Sequence, residues 1–278
     1  MPGPPSAERV VAVQVGAVPV DETLAAGGLL LNALAGLLAA RGLESACLTL
    51  SGGALAPFAY VIPALSPDAA HAAFYSGTFR PPGPSALEIA AVTVGFRDGQ
   101  PFFHCHGLWT EADGRRGCGH MLPDETMIAA PIQVRGGGIV GARFEVTPDP
   151  ETGFSLFMPR PTGTAPPPGA QPAVAFRLAP NQELTPALER LGAAAGFRRG
   201  VLRGGVASII GARFVDAPDI EGFATELLVR RCEVRCTGGG ATEIDIAIVD
   251  LHGAIGEGRL AAIDNPVLMT FEGVLEAA

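Results

Sequence analysis

Apolar positions along the chain fall into two series that run in the same order. Val10 to Val15 is a short apolar run of strand length, and Gly27 to Ala40 is long enough for a helix, apolar nearly all round and therefore predicted to be buried. The second half opens alike, with a strand over Ala173 to Leu178 and a helix from about Pro186 to Ala195. Each helix leads to a glycine-rich strand end, Ser51-Gly52-Gly53-Ala54 in one half and Arg203-Gly204-Gly205-Val206 in the other. Farther on, Leu87-Glu88-Ile89 resembles Thr225-Glu226-Leu227. Met158 to Pro172 (MPRPTGTAPPPGAQP) has no periodicity and the composition of a linker. The chain thus divides into residues 1–157, a linker over 158–172, and residues 173–278.

The polar positions that carry chemistry are concentrated in one predicted hairpin. Strand alternation over Pro101 to Trp109 puts His104 and His106 on one face and turns Cys105 to the other. Glu111-Ala112-Asp113-Gly114 supplies the turn, and a three-residue loop with Gly114 in the left-handed position sets Glu111 against Arg115 and His106 opposite His120. Cross-strand Cβ atoms lie about 5 Å apart, so three imidazoles converge. Three imidazoles with a vacant fourth position suit a catalytic zinc, and also iron, nickel or copper. Cys118, two residues before His120, is a candidate fourth ligand, although buried free cysteine behaves mostly as a small hydrophobe. The competing reading is three ordinary strand histidines, half-buried and hydrogen-bonded.

A gapless shift of 139 places lays His104-Cys105-His106 on Glu243-Ile244-Asp245, Gly114 on Gly253, Gly119 on Gly258 and His120 on Arg259. An internal duplication explains this. The second copy exchanges its imidazoles for two acids and a guanidinium, which can pair as Arg259 with Glu243 or Asp245, or simply form a solvated face.

Composition narrows the function classes. Hydrophobic residues make up 48% and charged ones 17% of 278 positions, enough to build a well-buried core. A formal net charge of −9, with only the isolated pairs Arg115-Arg116, Arg198-Arg199 and Arg230-Arg231, argues against direct DNA binding. Five cysteines, an odd number, fit free thiols in a reducing compartment. Met1-Pro2-Gly3-Pro4-Pro5 lacks the basic and apolar regions of a signal peptide. The longest apolar stretch, Leu29 to Ala40, is broken by Asn32 and Gly36 and is too short to cross a bilayer, so a cytoplasmic protein without membrane contact is expected. Gly136, Gly138 and Gly141 satisfy G-x-G-x-x-G, but Ile139 to Val146 reads as strand, so no helix N-terminus would meet a pyrophosphate.

The hairpin resembles the plant-and-prokaryote conserved (PCC) domain, whose signature is a His-x-His strand, a turn with Asp-Gly, and a Gly-His-Leu-type return. Here those are His104-Cys105-His106, Asp113-Gly114 and Gly119-His120-Met121-Leu122. Gly53-Ala54, Glu88 and Asp149 to Leu156 support the match in the first half; Arg177, Glu183-Leu184, Gly205, Glu226 and Phe271-Glu272 support it more weakly in the second. The resemblance implies an α+β fold, with two tandem domains, each a twisted, mainly antiparallel sheet with one main helix, and a homo-oligomer, usually a trimer. The same fold group includes acetolactate decarboxylase, a tandem-domain enzyme with a three-histidine zinc, and a zinc-dependent ester hydrolase. Plant members bind AT-rich DNA through an Arg-Gly-Arg-Pro hook, a tetrapeptide that does not occur here.

These readings lead to one expectation: a Zn2+-type ion held by His104, His106 and His120 polarises a small carbonyl or carboxylate substrate for decarboxylation or hydrolysis. Glu88, on the strand before the hairpin, is the expected catalytic acid or base, with the orienting of a histidine ligand as its other role. The competing class is a non-catalytic regulatory, DNA-associated or protein-interaction module with a structural metal.

Overall fold

A computed structural model describes residues 1–278. Apart from a separate pair, Pro63–Ala64 with Phe74–Tyr75, its strands form one hydrogen-bonded sheet, folded so that its two halves face each other. In the first repeat, Val10–Leu24 pairs with Ile132–Val140, which pairs with Ser45–Ser51, then Ser85–Arg97, Gln100–Thr110 and Arg116–Met121, all antiparallel. The second repeat follows the same path through Gln171–Leu178, Val267–Ala277, Arg199–Ile209, Thr225–Arg235, Glu243–Asp250 and Ile255–Arg259. The two first strands join antiparallel, from Val10 against Leu178 to Ala17 against Gln171, which places the repeats about a pseudo-two-fold axis.

Each repeat has one helix, Leu30–Ala40 or Leu184–Ala194. Gly27 and Gly28, both at positive φ, hold the first helix back to Leu30, and Pro186 sits in the first turn of the second, where its missing N–H costs nothing. The first helix is less buried than its composition predicts. Leu30, Leu31, Leu34 and Leu38 face the core, whereas Asn32 and Ala39 on the other side are exposed.

The α+β expectation is corrected by this architecture. Strand accounts for 54% of residues and helix for only 9%, so the protein is mainly antiparallel β. The cause is that an 11-residue helix per repeat covers only the outer face of its half-sheet, while the strands join edge to edge. The proline-rich segment is also shorter as a connector than its composition suggests. Phe154–Pro161 pairs with Ala142–Asp149 through Pro161, because an edge strand tolerates proline on its unpaired side.

Two cores lie between sheet and helix, one around Leu34, Leu48, Phe103 and Trp109, the other around Leu188, Phe176, Ile246 and Phe271. A smaller cluster joins the inner faces, with Ala91, Leu108 and Cys118 from the first repeat against Val206, Leu228, Ala247 and Val249 from the second. Inward-facing polar residues of Gln100–Thr110 therefore meet the second repeat rather than solvent.

Candidate metal centre

The hairpin forms in the predicted register. Glu111 N–H donates to Arg115 O at 2.8 Å, Gly114 has φ of 85°, and His106 lies directly opposite His120. Alternation sends Phe103 and Cys105 into the core beneath the helix, leaving His104 and His106 on the inner face. The strand Tyr60–Val61 crosses the return strand at His120, and a Cβ at Gly119 would stand 2.6 Å from Val61 O, so only glycine permits that approach. One nitrogen from each of His104, His106 and His120 falls within 4.8 Å of the others, a grouping that can hold a metal ion.

The outer nitrogens of two of these rings are held by the second repeat. His106 Nδ1 lies 2.8 Å from Leu227 O, which can only accept, so the proton is assigned to Nδ1 and Nε2 carries a lone pair. His104 Nδ1 lies 2.5 Å from Glu272 Oε1, and Glu272 is fully buried. The two Nε2 atoms are 3.0 Å apart. With both Nδ1 atoms donating, two lone pairs face each other, at a separation close to the roughly 3.3 Å edge of a tetrahedral ion with bonds of about 2.0–2.1 Å. His120 Nδ1 is buried with no partner at all. Burial, reinforced by the neighbouring His104, holds His106 and His120 well below the ordinary histidine range, so both are neutral and fit to ligate.

Glu226 stands beside the three histidines. Its Oε1 lies 3.8 Å from His106 Nε2, its Oε2 is buried without a partner, and burial pushes the acid up to about 8. A cation beside it favours the ionised form instead. The site opens into a cavity that Tyr75, Phe154, Ala224 and Met269 line with His104, His106 and Glu226. The ring of Tyr75 packs 5.2 Å from that of His120.

Plant- and prokaryote-conserved (PPC) proteins are among the solved structures it resembles. The chain is 19% identical to one from Pyrococcus horikoshii, with a TM-score of 0.42 over 51% of this chain and 93% of that one. A metal-containing protein from Archaeoglobus fulgidus gives 21% identity and a TM-score of 0.41, over 51% and 94% of the two chains. A protein from Ralstonia eutropha JMP134, named as a candidate DNA-binding protein, gives 18% and 0.36, over 49% and 88%. No family model and no curated protein matches the chain.

Glu88 does not join the histidines. Its carboxylate is bound by Arg116 at 2.6 Å and Thr110 at 2.9 Å, and a third of the side chain is exposed. Thr110 is four residues beyond His106 on one strand, which places this group roughly 13 Å away at about 3.3 Å per residue. Cys118 packs in the apolar cluster between the sheets, where burial drives its thiol up and away from the thiolate a metal requires. The acids at the centre are Glu226 and Glu272, the first of them the repeat counterpart of Glu88.

In the second repeat Asp245 opposes Arg259, mirroring His106 against His120. The side chains pair only in part as the sequence suggests. Arg259 binds Asp216 at 2.8 Å and only approaches Glu243, at 3.9 Å, while Asp245 is taken by Arg230, which also holds Glu257 at 2.6 Å. A guanidinium thus provides the positive charge among these acids. Gly136 and Gly138 lie within the strand Ile132–Val140, so the glycine pattern there is not a phosphate loop. No helix is long and apolar enough to cross a membrane.

Proposed function

We propose that this chain is a metal-dependent enzyme in which His104, His106 and His120 hold a zinc-type divalent ion and the substrate is a small carbonyl or carboxylate compound. The observation that carries this reading is the pair of facing Nε2 atoms on His104 and His106, whose outer nitrogens are already committed to Glu272 and Leu227 O. The ion would supply Lewis-acid polarisation of a substrate oxygen. Glu272 and Leu227 O fix the tautomers and aim of the two rings. Glu226, with one oxygen free of partners and facing the same cavity, takes up and returns a proton at the substrate, the role first assigned to Glu88. Phe154, Leu156 and Met269 make the wall apolar, which strengthens electrostatic interactions inside. The resemblance of the hairpin to the group containing acetolactate decarboxylase favours decarboxylation or hydrolysis as the reaction.

Protein stripped with a chelator and then reconstituted with zinc tests the reading. Carbon dioxide release from small oxo and hydroxy acids, and hydrolysis of small esters, are followed in parallel. Activity in one assay is expected to vanish on stripping, return with zinc and be absent in His104→Ala. Full metal occupancy with no turnover in either assay would overturn the enzymatic reading and leave a structural or regulatory ion.

A further inference from the structure

The histidines also border a second cavity, where the charge is of opposite sign to that of Glu226 and Glu272. Arg97 lines it together with Tyr75, His104, His120 and Phe154. Its guanidinium lies over the ring of Phe102, 3.7 Å from the centroid. Phe102 and His104 are two residues apart on one strand face, so the guanidinium stands roughly 7 Å along the strand from the His104 ring. Most arginines of this acidic chain are held in ion pairs, such as Arg116 with Glu88, Arg177 with Asp149 and Arg230 with Asp245. Arg97 has no such partner, and its hydrogen-bonding edge is free. Val146, Leu156 and Phe157, with the polar Ser155, form the rest of the wall.

A stacked, unpaired guanidinium beside three imidazoles is a receptor for an anion. Guanidinium binds carboxylate through two parallel N–H···O bonds, and the aromatic face beneath it fixes the plane in which they point. We infer that Arg97 selects the substrate: it binds the carboxylate of a compact organic acid whose second oxygen-bearing group reaches the metal centre. This rests on the metal reading above and narrows it, since neutral esters and aldehydes lack the group that Arg97 would bind. Neither Glu226 nor Glu272 lines this cavity, so no carboxylate of the centre competes for Arg97 there.

Cobalt(II)-loaded full-length protein provides the test, because the visible spectrum of the ion reports any ligand that reaches it. Wild type, Arg97→Gln and Arg97→Lys are titrated with pyruvate, with its methyl ester and with imidazole. Pyruvate is expected to bind wild type more tightly than its ester, to lose roughly tenfold or more in Arg97→Gln, and to recover part of this in Arg97→Lys. Imidazole should bind all three proteins alike, which separates loss of anion recognition from damage to the centre. A spectrum that responds to imidazole but not to pyruvate, or equal pyruvate binding by wild type and Arg97→Gln, overturns the role of Arg97 and leaves the metal reading intact. No cobalt spectrum in wild type overturns both.

Discussion

The backbone carbonyl of Leu227 receives the Nδ1 proton of His106 over 2.8 Å, so a candidate ligand ring of the first repeat is oriented by the main chain of the second. The same division holds at His104, whose partner Glu272 is also a second-repeat residue. The half with Glu243, Asp245 and Arg259 at the corresponding positions supplies the groups that orient the histidines of the other.

Glu272→Gln is therefore expected to weaken metal affinity by roughly 10 to 100-fold while leaving the fold in place. Competition with a chromophoric zinc chelator measures this. Unchanged affinity would show that the contact between His104 and Glu272 contributes nothing to the centre.

Glu226 and Glu88 separate by the same kind of substitution. Glu226→Gln should keep the metal and lower turnover by roughly 10²-fold or more, the size of a proton-transfer contribution. Glu88→Gln should change turnover little, because that carboxylate is bound by Arg116 and Thr110. The reverse pattern in steady-state rates at saturating zinc would return the role to Glu88.

Stability should depend on pH through Glu151, whose side chain is 2% exposed and ties the first residues to the turn after Asp149. Burial raises this acid, but the bonds from Arg9 and the Ser6 amide and the charge of Arg9 together outweigh it, and the net shift is downward. A carboxyl lowered in the folded state contributes stability above its unfolded value, near 4.5, and that contribution is lost as pH falls through the lower folded value. Urea unfolding of wild type and Glu151→Gln should therefore differ at neutral pH and converge in acid. A difference that stays constant down through that range would contradict the pairing.

Much of the local chemistry was legible in the sequence, because strand alternation and a three-residue turn with Gly114 fix the hairpin register without reference to the rest of the chain. That reasoning put His104, His106 and His120 together. It did not find Glu226, Glu272 or Tyr75 as members of the site. Glu226 was visible only as the counterpart of Glu88, and nothing local says that Glu226 turns toward the histidines while Glu88 faces Arg116. The difference arises from packing of one half-sheet on the other through Leu108, Leu228 and Val249, a long-range fact. Tyr75 lies in a stretch without periodicity, where Phe74–Tyr75 pairs only with Pro63–Ala64. The edge-to-edge joining of Val10–Leu24 to Gln171–Leu178, which makes the fold mainly β, likewise leaves no mark in either strand alone.

Duplex DNA, AT-rich or random, is expected to bind weakly or not at all at physiological salt. The chain carries a net charge of −9, and phosphate binding depends on a basic footprint. A gel-shift titration showing sub-micromolar, salt-sensitive binding would reverse this and favour a DNA-associated role.

The most direct test of the centre is the metal content of protein purified without a histidine tag, measured by inductively coupled plasma mass spectrometry beside the double variant His104→Ala/His106→Ala. Only one of the two repeats keeps its imidazoles, so about one divalent ion per chain is expected in wild type and none in the variant. A stoichiometry near two, or an ion retained by the variant, would contradict the assignment of the centre to His104, His106 and His120.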